Sequence, residues 1–403
     1  MTTTTSVRTS KRPVDTDQKL PLSPLLALAT AAFVVVLTEA LPAGVLPEMA
    51  RGLSVSESAA GQALTVYALA SGLAAVPLAA LTAGWRRKRL LVTAVAVFAV
   101  ANTVTALSAC YPLTMAFRLV AGVASAAVWA ELVVYARRLA PPHLAGRAIA
   151  IAMAGIPLAL SLGIPAGTFL GSLVGWRVTF GLVTLVSVLL LGWILVSVPD
   201  HPGQRPGRRE PILRAVRLPG VAAVLFVVAA YVLAHNTFYT YIASFLDAYG
   251  MSGQRDLVLL VFGLASMVSI LVTGALIDRR LRELTIGSTV LFLLAAALLI
   301  PFADDAVVVY GSMVLWGLGW GGLATLLQTA VTDAGGDRGQ ALLVTVWNTL
   351  MAGGGVTGGV LLDTLGPASF PWSVLLLLVP VLLVVVGART HGFPERGTRG
   401  SGT

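Results

Sequence analysis

Residues 199–219 read PDHPGQRPGRREPILRAVRLP. This is the longest polar break in the 403-residue chain, and it falls near the midpoint. Its Pro, Gly and Arg content suits an exposed linker better than a packed element. Working outward, the sequence turns apolar on both sides. Apolar runs cover 24–46, 59–82, 89–109, 112–139, 146–174 and 176–198 before the break. After it they cover 219–247, 255–277, 284–302, 306–332, 339–365 and 370–388. Each run is close to or above the ~20 residues that an α-helix needs to cross a bilayer. The reading is an all-α membrane protein with twelve transmembrane helices in two pseudo-symmetric six-helix bundles, 21–198 and 219–388. The linker occupies 199–218, and polar tails occupy 1–20 and 389–403.

Composition points the same way. Hydrophobic residues make up 57% of the chain and charged residues 11%, against about 25% charged in a typical soluble domain. That excludes a water-soluble enzyme, a disordered chain and a nucleic-acid reader built in water. The net charge of +9 therefore reports topology more than a polyanionic partner. Of the 27 Lys and Arg, only Arg51, Arg177 and Arg255 fall in loops on one side, and Arg118 falls inside a helix. The rest collect on the other side, which the positive-inside rule assigns to the cytoplasm together with both termini. The lead-in MTTTTSVRTSKRPVDTDQKL has no clear cleavage site, so the first helix is expected to remain as an anchor in the cell membrane. With the single Cys110 and four scattered His, no metal site, cofactor or intrachain disulfide is expected.

The halves echo one another. GWRRKRLLV (84–92) after the second helix returns as IDRRLRELT (277–285) after the eighth, and YPLTMAFRLVAG (111–122) returns as YGSMVLWGLGWG (310–321). Six spans bring the chain back to the same side, so the repeat runs in parallel sense, an arrangement used by secondary transporters with a site near the midplane.

Several segments carry a family resemblance: TEALPAGVLPEMA (38–50), YALASGLAAVPLAALTAGWRRKRLL (67–91), RLVAGVASAA (118–127), GIPAGTFLGSLVGWR (163–177) and TFYTYI (237–242). The chain resembles the major facilitator superfamily, in particular its twelve-span drug:proton antiporters of the chloramphenicol-resistance and sugar-efflux type. The resemblance implies the major facilitator fold and export by alternating access. It also implies gating roles for Arg86, Arg87, Asp278 and Arg279 in the loops after helices 2 and 8. One departure stands out: LTAGWRRKR (81–89) lacks the acidic residue that the family usually places before its basic cluster.

Ionisable groups at membrane depth are costly, at about 2.5–3.5 kcal/mol each on insertion scales, and so are functional candidates. Glu39, Arg118 and Glu131 qualify. Counting ~1.5 Å per residue, Glu39 lies about 22 Å from the start of helix 1 and Arg118 about 9 Å below the opposite end of helix 4, at a similar depth. In the resembled fold both helices line the central cavity. Glu39 is expected to bind a proton and substrate alternately, with Arg118 favouring its ionised form; the alternative is a static pair pinning two helices. Glu131, about 20 Å deeper, is either a second proton or substrate carboxylate or a partner of cytoplasmic water, Arg137 or Arg138.

His235, Asn236, Tyr239, Tyr241, Gln328, Asn348 and Trp129 are candidate substrate-cavity residues, and Trp316, Trp320 and Trp347 could line a site for a flat substrate; helix packing is the competing explanation for all of them. Gly163, Gly167, Gly171 and Gly175 fall on one helix face, where they admit another backbone, and Pro165 can kink that helix. In the resembled family this segment marks exporters.

GLGWGG (317–322) and GGGVTG (353–358) match a dinucleotide fingerprint but lie within apolar helices, outside any βαβ unit, and the chain has no P-loop. Energy is therefore expected to come from an ion or substrate gradient. The leading expectation is a proton-coupled exporter of a small organic molecule, not an enzyme, with a sugar-efflux facilitator or an uptake symporter as the alternative. The partners expected are the small-molecule substrate, protons and membrane lipid, with no nucleic acid, and the oligomeric state is expected to be a monomer.

Overall fold

A computed structural model describes residues 20–141, 144–203, 216–388 and 392–393. Nearly all of the two expected tails and the middle of the expected linker, 204–215, lie outside the described residues. All regular structure among the described residues is helical. The first half comprises α1 (Leu22–Gly44), α2 (Leu46–Leu53), α3 (Glu57–Leu81), α4 (Arg87–Leu107), α5 (Tyr111–Leu139), α6 (Ala145–Met153), α7 (Gly155–Leu158), α8 (Ile164–Val174) and α9 (Trp176–Ser197). The second comprises α10 (Val221–Tyr239), α11 (Ile242–Ala248), α12 (Arg255–Phe302), α13 (Ala306–Trp320), α14 (Leu323–Leu365) and α15 (Ser369–Gly387). Ten helical stretches among the described residues are long and apolar enough to cross a membrane, so the chain is a multi-pass membrane protein. Two further long helical stretches, α3 and the part of α14 beyond residue 336, are not among those ten.

The helices differ from the sequence reading at their joints. Loops were expected near 278–283 and 333–338, yet α12 and α14 continue through both positions. The turn shrinks to a single non-helical residue in each, Arg280 with φ −132° and Gly336 with φ +58°. Glycine takes that positive φ without a Cβ clash, which lets the chain reverse in so little sequence. Span five is also segmented, because a π-helical turn, Ala159–Gly163, separates α7 from α8. Pro165 sits in the first turn of α8, just past this turn, where its missing N–H does least damage.

The glycine column packs span five onto span one. A Cβ on Gly163, Gly167 or Gly171 would lie less than 3.0 Å from Phe33, Leu41 or Val45 respectively, all on α1 or the residue that follows it. Backbone and side chain therefore meet where larger residues would hold the helices apart. Gly175 does not extend the column. It has φ +90°, faces open space and ends α8.

Within the first half α5 packs on α3 and α4, and α9 on α4 and α1; within the second, α12 packs on α13 and α15, and α10 on α14 and α15. Between halves, α14 lies against α3, and α12 against α8 and the π turn. One end of the molecule carries the basic loop 85–90 and the start of the linker and is called here the basic end. The opposite, far end carries α2, α11 and the junctions near 108–111 and 302–306.

Candidate functional site

Arg118 is fully buried, at 0% exposure, and joins three spans. Its Nη1 donates to the Thr38 carbonyl at 2.8 Å and its Nε to the Ala63 carbonyl at 3.2 Å. The guanidinium also lies over the Tyr67 ring, 4.8 Å from its centroid. Thr38 is held a second time by Asn102, whose amide donates to its hydroxyl at 3.2 Å. Both bonds anchor the residue immediately before Glu39. The expected Glu39–Arg118 pair takes another form here: no salt bridge closer than 4.0 Å joins them among the described residues, and Glu39 is half-buried with no hydrogen bond to its carboxylate. The two still interact electrostatically. Arg118 Nη2 is buried without a hydrogen-bond partner. A buried guanidinium with a spare donor beside an unpaired carboxyl can gain or release that contact as the carboxyl changes charge.

Glu131 is engaged elsewhere. Its Oε1 accepts from Arg87 Nη1 at 2.6 Å, with side-chain exposures of 1% and 12%. The direct contact is thus with Arg87, at the start of α4, while Arg138 acts on Glu131 only through its charge. The start of the linker covers this pair. Arg86 pairs with Asp200, the Arg87 backbone N–H donates to the His201 carbonyl at 2.9 Å, and Tyr135 donates to the Pro199 carbonyl at 3.1 Å. The carboxylate absent from the first basic loop is therefore supplied by Glu131 and Asp200 from distant sequence. In the second-half copy, Arg279 is exposed, whereas Arg282 donates to the Val386 carbonyl at 2.8 Å at the end of α15. The Asp278 side chain lies outside the described residues.

At the far end, hydrogen bonds and ion pairs join the halves. Arg255 bridges Glu48 of the first half at 2.7 Å and Asp247 of its own half at 2.5 Å. Ser58 donates to Asp363 at 2.6 Å. Tyr241, expected in the substrate cavity, is fully buried in this closure: its hydroxyl donates its proton to the Gly355 carbonyl of its own half at 2.8 Å, shared with the Ser58 carbonyl across the seam at 3.3 Å. Its position is explained by Gly61 and Gly359, which leave room for the ring.

The remaining cavity candidates divide. Asn236 returns its amide to the Val232 carbonyl at 2.9 Å, and its Cβ packs against Gly354, so it serves helix packing. Asn348 bonds the Val344 carbonyl at 2.9 Å while its Cβ faces Gly72 across the seam. Gln328 is exposed and Trp129 half-buried. His235 and Tyr239 enter an aromatic cluster with Phe262, Trp316 and Trp320. Ser269 was invisible to sequence reading. Its hydroxyl donates to the Leu318 carbonyl at 2.7 Å and accepts from the Gly322 N–H at 3.0 Å, inserting itself into the helical ladder of span ten.

The sequence pattern of the Major Facilitator Superfamily matches residues 28–359. The purine ribonucleoside efflux pump NepI of Escherichia coli strain K12 is 27% identical over 372 residues, covering 90% of this chain and 93% of that protein. The pump of the same name from Shigella sonnei strain Ss046 is 27% identical over 371 residues, with the same coverage. Two solved structures share the fold. A point mutant of the nucleoside transporter NupG superposes with a TM-score of 0.72 at 14% identity, over 91% of this chain and 98% of that one. The human organic anion transporter MFSD10 (TETRAN) gives 0.68 at 16% identity, again over 91% and 98%.

Proposed function

The chain belongs to the Major Facilitator Superfamily of membrane transporters, and we propose that it exports a nucleoside-like organic solute from the cell in exchange for protons, by alternating access. The distribution of Lys and Arg supports a cytoplasmic basic end with both termini inside. On that orientation the hydrogen-bonded far end is the closed outer gate, and the two halves rock about a site at mid-depth. Two relatives named as purine ribonucleoside efflux pumps support both the direction and the solute class.

The observation that carries proton coupling is the unpaired Glu39 carboxyl beside the spare, buried Nη2 of Arg118. A protonated Glu39 offers that donor only a neutral acceptor and attracts it weakly. An ionised one is drawn to it, and the movement shifts α1 against α5, two helices that pack on each other. Substrate and proton then compete for one carboxyl state, which is the requirement for exchange.

Reconstituted protein tests this with radiolabelled inosine as the probe. Vesicles oriented inside-out and acidified within should accumulate inosine. Glu39→Gln should abolish accumulation driven by the pH gradient while retaining inosine exchange without a gradient. A variant that accumulates inosine at the wild-type rate overturns the coupling role of Glu39. Flux that follows the inosine gradient alone, at any pH, overturns antiport in favour of facilitated efflux.

A further inference from the structure

The aromatic residues of the second half are graded from closed core to accessible surface. Trp316, Phe238, Phe262 and Phe292 are buried, whereas Trp320 and Trp347 are half-buried. His235 stacks on Trp320 with ring centroids 3.5 Å apart and planes 5° from parallel. Trp347 leans on the same indole at 5.7 Å and 38°. His235 and Trp320 each lie about 21 Å from the start of their helices, which run in opposite directions, and because the two rings stack they mark the level midway between those starts. The next residue after Trp347 is Asn348, whose Cβ meets Gly72 of the other half, so this aromatic group borders the seam between halves.

Two further features point to a ligand. Trp316 Nε1–H donates to His235 Nδ1 at 3.2 Å. That bond occupies the Nδ1 lone pair, so the neutral ring carries its hydrogen on Nε2. This Nε2–H belongs to a side chain only 5% exposed, and it makes no hydrogen bond among the described residues. The helical ladder also fails directly around Trp320, where the Ser269 hydroxyl stands between the Leu318 carbonyl and the Gly322 N–H. Interrupted helices at membrane depth recur at the binding sites of secondary transporters.

The internal repeat sharpens the contrast between halves. Aligning 111–122 with 310–321 sets Phe117 against Trp316 and Ala121 against Trp320. In the first half, span four reaches span one through the Arg118 guanidinium; in the second, span ten reaches span seven through the Trp316 indole. One half presents a charge device and the other a set of flat rings.

We propose that Trp320, backed by His235 and flanked by Trp347, is the platform on which the heteroaromatic base of the solute stacks. This rests on the reading that the solute is nucleoside-like. A ribose ring without a base gains nothing from the platform, so the protein discriminates by the base. Base-on-aromatic stacking typically accounts for roughly 5- to 150-fold in affinity on truncation to Ala.

Equilibrium binding to the purified full-length protein, with inosine as probe and free ribose as control, tests the site. Trp320→Ala should weaken inosine at least fivefold, and Trp320→Phe, which keeps a ring and guards against misfolding of the Ala variant, should weaken it less. His235→Gln retains an acceptor for Trp316 and a donor but loses the stack, and should also weaken inosine. If the wild-type protein binds inosine and both Trp320 variants match it within twofold, the platform is overturned while nucleoside export stands. If the wild-type protein binds neither inosine nor other nucleosides, the functional reading and the platform fall together.

Discussion

Replacing Arg87 by Ala isolates the buried ion pair at the basic end. The Arg87–Glu131 contact is 2.6 Å long, and the carboxylate is 1% exposed. Glu131 Oε2 and Arg87 Nε are both buried without a hydrogen-bond partner, so each ion depends heavily on the one contact. Removing one partner of a buried pair strands the other, at a cost of about 3–5 kcal/mol. Glu131→Gln should cost less, about 1–3 kcal/mol, because Arg87 is 12% exposed and can turn towards water at the basic end. Changing both, Arg87→Met with Glu131→Leu, should return to near wild type, as replaced buried pairs often do. Unfolding titrations in detergent on all four proteins measure these differences. Arg87→Ala within about 1 kcal/mol of wild type would refute the reasoning, since a stranded carboxylate cannot be that cheap. The same variants also separate the two roles open to Glu131. An ion-pairing residue shows its loss in stability, whereas a proton carrier shows it in gradient-driven transport at full stability.

Two other outcomes follow from close approaches. A methyl group on Gly355 would collide with the Thr65 hydroxyl of the opposite half, so Gly355→Ala should weaken far-end closure; thiol labelling of a cysteine placed at position 363 should rise, and unchanged labelling would show that the seam absorbs the methyl. Ser269→Ala removes the hydroxyl that bridges the Leu318 carbonyl and the Gly322 N–H, and should lower stability in detergent by about 1–3 kcal/mol, unless the ladder closes directly and the loss vanishes.

Much of the architecture was legible because hydropathy and charge asymmetry are properties of sequence alone. The apolar runs fall where helices form, and the four-residue spacing of Gly163, Gly167 and Gly171 foretold a face that a neighbour could approach. The candidate site was legible only as a set of residue types. Glu39 and Arg118 were noticed because charge at membrane depth is expensive, yet nothing in their spacing says that Arg118 spends its hydrogen bonds on the Thr38 and Ala63 carbonyls.

What the sequence determined by itself is a chain of apolar helices in two repeated halves with a strongly basic side, because bilayer thickness and charge transfer act on each segment separately. Only the tertiary structure decided that Glu131 meets Arg87, that Tyr241 closes the far end, that Ser269 opens the ladder beside Trp320, and that His235 lies flat on that indole. Those contacts depend on how each helix is rotated about its axis and how closely it nears its neighbours. Apolar neighbours leave that rotation weakly specified by any one segment, so it is set by the packing of all of them together.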